Sequence, residues 1–541
     1  MKEIYRIVFA TLAMSLTLTG CYEDKGNYVY SEIEEITFVF GTDDEGTPIT
    51  SPSLAAMRGN EYIEVDPTIY SSLTGEIKEN DPNYEFGCKI NYSPSPDQRW
   101  LDIDTLGTKA VKFFATIPAG DYQLWYTVKN KTTGVTRSAI GTVKIITPTF
   151  EGWMVLSNNG NDNHVRLDMI YADSKGEEQV SIGIFEDKVP PIYDAVSMVM
   201  NPTRKSVGDQ IYLLSQSGGY QLDATYLQTT LANNIKVIDF MMQNAPGEVI
   251  AWSGIFNNYA GGNQGQVCVT TEGNAYAVHV FGANAGFEYP MNTNKVGDEP
   301  TYKVAPMIGT AQDRPGNSNC ALFYDITNKR FMGYDYSLDG VSTRLLFTLN
   351  DPSDRLFSFN TGMDLIDMES TKFSQGLVYS VLQDTGGKRH IYAINMAGAK
   401  VNNCFVQENA YDNIDAPDFN TATDYAFHSQ FPFMFYCQGN KVYAYNLAIG
   451  RVTDTLTLGP DETVTKIKFN LFQADPTWFA DPSQAFLSKQ YDLIVASTTG
   501  GENSGIVRFY DIDVSGKMTI KSEFTGLGEH IVDVTYRERK G

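Results

Sequence analysis

The sequence predicts an all-β protein, an immunoglobulin-like β-sandwich over residues 31–148 followed by a seven-bladed β-propeller over residues 149–541. Three observations predict it. A hairpin phrase recurs seven times from residue 151 onward. Residues 31–148 lack that phrase but hold short strand-like runs separated by turn residues. No long stretch carries the 3.6-residue apolar period of an amphipathic helix.

Ahead of the sandwich, "MKEIYRIVFATLAMSLTLTGC" places Lys2 and Arg6 before an apolar run from Ile7 to Leu18, then small residues before Cys21. This is the pattern of a secretory signal peptide, residues 1–20. Thr11, Ser15 and Thr17 interrupt the run, which falls short of the roughly 20 apolar residues that a membrane span needs. Leu18-Thr19-Gly20-Cys21 resembles the bacterial lipobox, which implies lipidation of Cys21 and a tether over residues 21–30. Two or more acyl chains make a stable anchor, each buried methylene contributing about 0.8 kcal/mol. A secreted protein with a chance cysteine is the plainer alternative. The acidic "YEDKGN" so close to the lipid resembles the export signal of Bacteroidetes surface lipoproteins, so the expected location is the outer membrane, facing outward.

Charge narrows the partners. Sixty-five acidic residues against 41 basic ones give a formal charge of −24. With no Lys/Arg-rich run to meet phosphates, a nucleic-acid partner is excluded, and contact with anionic lipid is limited to the acyl anchor. Cys88, Cys268, Cys320, Cys404 and Cys437 remain after Cys21, with no C-x-x-C pair, so neither a zinc knuckle nor a disulfide framework is indicated. Cys268 and Cys437 lie in strand-like runs and read as buried free thiols.

The repeated phrase is an apolar strand, a Gly/Asn/Ser turn and an alternating strand that closes on a short polar residue or histidine. Its copies close at Asp168, Asp223, His279, Asp325, Asn395, Asn446 and Asp511, at intervals of 55, 56, 46, 70, 51 and 65 residues, a mean of 343/6, about 57. That suits one four-stranded unit with extended loops per repeat. Units unable to bury both faces alone close into a ring with short protected edges. The fourth copy is the weakest, and a ring of six or eight units is the alternative. The closing Asp and Asn residues read as turn formers, since their side chains bond nearby backbone amides.

The segment 31–148 offers six or seven strands, the scale of an immunoglobulin-like sandwich. Its last stretch, "IPAGDYQLWYTVKNKTTGVTRSAIGTVKII", resembles the closing hairpin of PKD domains, with Trp125 expected in the core. Trp153 in "EGWMVLS" is expected at the junction with the ring. Together "CYEDKGNY" and "FEGWMVLSNNGNDNHVRLDMI" resemble the PKD-like family lipoproteins of Bacteroidetes. The resemblance implies partners: a TonB-dependent outer-membrane importer of the starch-utilisation type and its substrate-binding lipoprotein lid, with glycans or peptides as cargo. It carries over no catalytic residue.

Catalytic motifs are scarce, without G-x-S-x-G, H-E-x-x-H or P-loop, and the five histidines are scattered singly. No cofactor is expected. "DIDVSG", Asp511 to Gly516, resembles half of a calcium loop but lacks a glutamate at the twelfth position, and reads as a surface turn. Candidate binding residues are aromatics in Gly/Asn/Pro-rich insertions: Trp252, Phe256 and Tyr259; Phe281, Phe287 and Tyr289; Trp478 and Phe479. Their alternative is a satellite core beneath long loops. The resulting expectation is a non-enzymatic accessory binding subunit of a nutrient importer. A propeller hydrolase or lyase acting on a polysaccharide, and a purely structural partner of the importer, stand beside it.

Overall fold

The computed structural model describes residues 33–92, 100–103, 108–185, 191–201, 210–223, 225–230, 250–256, 265–279, 289–310, 320–335, 345–395, 405–472 and 485–538. The signal peptide, Cys21 and the tether lie outside the described residues. Strands and a few short 3-10 turns make up the regular structure, and no described helix is long and apolar enough to cross a membrane. The chain divides into two compact units: residues 1–54, 63–113 and 123–142 form one; residues 55–62, 114–122 and 143–541 form the other.

In the first unit, alternation sorts side chains by face. Over residues 123–130 of the strand Gly120–Asn130, Leu124, Tyr126 and Val128 are buried while their neighbours are more open, the period of two that a half-buried strand imposes. Tyr126 packs edge-on against Phe38, ring centroids 6.1 Å apart, and its hydroxyl donates to the Lys109 carbonyl at 2.6 Å. Trp125, expected in the core, sits half-buried on the opposite face, because the inward positions belong to the even-numbered residues. Cys88 is a buried free thiol in this core.

Among the described residues the second unit holds seven sheets in chain order. From its innermost strand outward, the first sheet runs His530–Arg537, Gly152–Asn159, His164–Ala172 and Glu178–Ser181, so the last strand of the chain completes the first sheet. The second sheet is Ala195–Asn201, Gln210–Ser215 and Gly218–Leu222; the third is Ile250–Phe256, Gly265–Thr270 and Ala275–His279. The fourth contains Gly309–Thr310, Cys320–Asp325, Arg330–Asp335 and Phe347–Thr348. Fifth comes Asp364–Ser370, Leu377–Gln383, Arg389–Asn395 and Val406–Tyr411; sixth, Asp424–Phe427, Phe433–Gln438, Lys441–Asn446 and Arg451–Thr457. The seventh is Thr463–Lys468, Leu493–Thr498, Gly505–Ile512 and Met518–Leu527.

Each sheet is too thin to bury both faces alone, and its neighbours bury them. An apolar layer separates every consecutive pair, including the seventh and first. Period two decides the allegiance: Trp153 and Val155 face the seventh sheet, while Met154 and Leu156 face the second. The second strands, "WMVL", "ALFY", "LVYSVL", "FMFYC" and "LIVA", are therefore continuous buried runs. Trp153, expected at a junction, instead packs between the first and seventh sheets, its ring 4.8 Å from Phe509 and 4.9 Å from Tyr536. Innermost strands touch in succession around the unit, and His530–Arg537 touches the innermost strands of both the second and the seventh sheets. The arrangement is propeller-like.

One repeat mark moves. Asp168, His279, Asn395, Asn446 and Asp511 lie on third strands and Asp223 directly follows one, but Asp325 ends the second strand of the fourth sheet. The third strand there ends at Asp335, which turns the intervals 46 and 70 into 56 (279 to 335) and 60 (335 to 395). Capping explains the confusion. Asp325 accepts from the amides of Thr327 at 3.0 Å and Asn328 at 2.9 Å, as Asn446 does from Ala448 at 2.9 Å and Ile449 at 3.1 Å. A turn-capping side chain marks a turn, not which turn.

Candidate functional site

Within the second unit, the innermost strands line a cavity of about 500 Å³. Its charged wall follows from short alternating segments. In "IDMES", Asp367 and Glu369 face the cavity while Met368 enters the layer between the fourth and fifth sheets. "TKIKF" turns Lys466 and Lys468 inward and Ile467 toward the sixth sheet. In "VDVT", Asp533 and Thr535 line the cavity and Val534 packs outward. Glu538, Asn470, Met198 and Ser197 share the same wall.

Several of these side chains tie neighbouring sheets together by accepting from backbone amides. Glu369 of the fifth sheet accepts from the Phe427 amide of the sixth at 3.1 Å. Asp424 of the sixth takes the Ile467 amide of the seventh at 2.7 Å and the Lys466 Nζ at 2.8 Å. Asp533 of the first takes the Met198 amide of the second at 2.8 Å, and the Lys468 Nζ donates to it at 2.7 Å. These amides lie on strand edges that no further described strand covers, and a buried N–H without an acceptor would cost about 1–3 kcal/mol.

The charges do not balance locally. Lys466 stands among three carboxylates, Asp367, Glu369 and Asp424. Burial pushes the Asp367 carboxyl up to about 7, only partly offset by the Lys466 charge. Burial and the neighbouring Asp367 also raise Glu369 well above the usual carboxylate range. Burial would lower Lys466, yet the surrounding carboxylates hold it above its ordinary value. Burial works against Asp533 as well, but the Lys468 charge and hydrogen bond keep it below its ordinary value. Oδ2 of Asp367 and Oγ of Ser197 are shut off from solvent with no hydrogen-bond partner.

A pH effect follows. Because folding raises the Asp367 pKa, its contribution to stability is full below the ordinary carboxylate range and is lost as pH rises through about 7. Thermal melts from pH 6 to 8 should show falling stability, at most about 1.4 kcal/mol per pH unit from this one group. Asp367→Asn should flatten that slope; an unchanged slope would show that Asp367 is already ionised at pH 6.

The sequence-predicted aromatics are placed differently. Trp252 and Phe256, expected in a loop, are in the innermost strand of the third sheet, where Trp252 is in register with Val269. Tyr289 is exposed. Tyr259, Phe281, Phe287, Trp478 and Phe479 lie outside the described residues. The histidines do not converge: His164 contacts Asp162 at 2.9 Å, His390 contacts Asp412 at 3.0 Å, and buried His428 accepts from the amides of Gln430 and Phe431. No cluster of three or more His, Cys, Asp or Glu suited to a metal occurs among the described residues. In "DIDVSG", Asp513 accepts from the amides of Ser515 at 2.8 Å and Lys517 at 3.1 Å, closing a turn in which Gly516 has φ +84°. Sequence reasoning missed the cavity charges, although charge alternating with an apolar residue in the innermost strands of the first, fifth and seventh sheets was their signal.

Comparison with known proteins bears on the chain's N-terminal part. Residues 21–189 match the PKD-like family. That PKD-like segment begins at Cys21, contains both "CYEDKGNY" and "EGWMVLS", and extends through the Glu178–Ser181 strand. No curated protein matches the chain. Among solved structures, a quinoprotein alcohol dehydrogenase-like protein from Bacteroides thetaiotaomicron aligns with 90% of this chain and 99% of its own, at 11% identity and TM-score 0.36. A chain of a mitotic checkpoint complex aligns with 60% of this chain and 78% of its own, at 9% identity and TM-score 0.33.

Proposed function

We propose that this protein is a surface-exposed, lipid-anchored binding subunit of an outer-membrane nutrient importer, without catalytic activity of its own. In this reading lipid on Cys21 holds the chain to the outer membrane, and the N-terminal unit is a PKD-like β-sandwich that acts as a spacer. The seven sheets are the blades of a closed seven-bladed β-propeller that meets the TonB-dependent barrel, its lipoprotein lid and their glycan or peptide cargo. The observation that carries a binding role is the cavity of about 500 Å³, within the size of small-molecule sites, walled by charged side chains from several sheets.

Cys21→Ala should move the protein from the membrane fraction to the soluble fraction, and mild-detergent capture of the wild type should retrieve a TonB-dependent barrel. Unchanged fractionation would defeat the anchor, and capture of no barrel would defeat the importer role. A second reading, a hydrolase or lyase acting on polysaccharide, draws on Asp367 and Glu369, a carboxyl pair that retains a proton near neutrality. Release of new reducing ends from a glycan panel, lost in Asp367→Asn, would favour it. A chain that captures the barrel but binds no ligand would be a purely structural partner.

A further inference from the structure

We propose that the cavity is a binding site for a small organic ammonium ion, whose cationic nitrogen docks against Asp367 and Glu369. The proposal deepens the binding role of the cavity and does not depend on the importer. It begins with pairing. Lys468 is matched by Asp533 at 2.7 Å, and Lys466 by Asp424 at 2.8 Å. Asp367 and Glu369, two positions apart and on one face of the same strand, have no ammonium of their own among the described residues beyond their share of Lys466.

Hydrogen bonding leaves the same two groups short. Glu369 receives the Phe427 amide through Oε2, while Oδ2 of Asp367 receives nothing. Ser197, on the second sheet's part of the wall, likewise has an unpartnered oxygen. Were the cluster purely a tie between sheets, like Asp424 and Asp533, each carboxylate would be expected to end on an amide or a lysine. A cation with several N–H donors would meet the polar wall that Asp367, Glu369 and Ser197 form, in a cavity of about 500 Å³, within the size of small-molecule sites.

The groups facing Asp367 set the pH dependence: Glu369 on its own strand, and Asp424 and Lys466 from the sixth and seventh sheets. Without ligand the Asp367 carboxyl retains its proton up to about pH 7. When the ammonium arrives, the carboxyl gives that proton to solvent and becomes the carboxylate of an ion pair, with no other bond made or broken. Binding below neutrality therefore releases a proton, and affinity should rise with pH, up to tenfold per unit from the Asp367 proton, through about pH 7.

Titration calorimetry on the soluble chain tests this with two matched pairs: glucosamine against glucose, and Nα-acetyl-lysine amide against Nα-acetyl-norleucine amide. Each pair differs in its primary amine, so the arms separate an amino sugar from a lysine-like side chain. The expected result is binding of at least one amine, at least tenfold weaker binding of its neutral partner, and proton release at pH 6 in buffers of different ionisation enthalpy. Asp367→Asn and Glu369→Gln, which preserve shape and an acceptor oxygen, should each weaken binding tenfold or more while melting within a few degrees of wild type. Binding of neither amine, equal binding of the neutral partners, or full affinity in both folded variants would overturn the site. Those outcomes would leave capture of the barrel by the wild-type chain unaffected, so the two proposals fail separately.

Discussion

Replacing Asp533 with alanine should destabilise the second unit by on the order of 3–5 kcal/mol, the largest effect expected of a single side chain in this protein. Asp533 is 5% exposed and serves four donors at once: the Lys468 Nζ at 2.7 Å, the Met198 amide at 2.8 Å, the Val534 amide at 2.9 Å and the Thr535 hydroxyl at 3.2 Å. Alanine would leave the lysine charge buried without its partner and orphan an amide of the second sheet. Most of the cost comes from what remains behind, so Asp533→Ala combined with Lys468→Met should recover part of it. Urea unfolding of both variants measures this directly. A single variant within about 0.5 kcal/mol of wild type would mean that Lys468 finds water instead, and that the tie between the first and second sheets is dispensable. The acid limb has a definite sign: because Asp533 is held below its ordinary value, its contribution persists above the ordinary carboxylate range and disappears as pH falls below about 4.

Ending the chain after Glu529 should abolish cooperative folding of the second unit. The deleted strand, His530–Arg537, pairs with Gly152–Asn159, and its Ile531, Val534 and Tyr536 fill the layer between the first and seventh sheets. At about 1.5–3 kcal/mol for each buried side chain, their loss is comparable with the roughly 5–15 kcal/mol that holds a whole domain together. The truncation would also expose the Gly152–Asn159 edge, a template for pairing with other chains. The expected readout is an aggregated or molten product with weak near-ultraviolet circular dichroism. Trp153, whose ring lies 4.9 Å from Tyr536, should report the change through red-shifted emission. A soluble truncated chain melting cooperatively within a few degrees of wild type would show that the terminal strand is an ornament rather than the closure.

These expectations rest on the strand that the repeat phrase did not contain. The seven copies were legible because every second strand is buried on both faces and every turn needs a small or side-chain-capped residue, and these are local demands. The same locality misled the count at Asp325, which caps its turn as well as the true third-strand residues cap theirs. Trp125 shows a finer limit. Its indole suits a core by composition, but a one-residue phase along Gly120–Asn130 gives the interior to Leu124 and Tyr126.

By itself, then, the sequence determined an all-β chain with a change of texture near residue 150, seven repeating units, turn-forming Asp and Asn residues, and buried thiols at Cys268 and Cys437. The tertiary structure decided which units became neighbours. Nothing local in "HIVDVTYR" says that it joins "GWMVLSNN" more than 370 positions earlier, because pairing depends on a free edge and on the layers either side of it. Nor does any window contain Asp367, Lys466 and Asp533 together. Each is one polar position in an alternating strand, and only the succession of innermost strands brings them to one cavity, where removal from water and shared charge give them properties that none has alone.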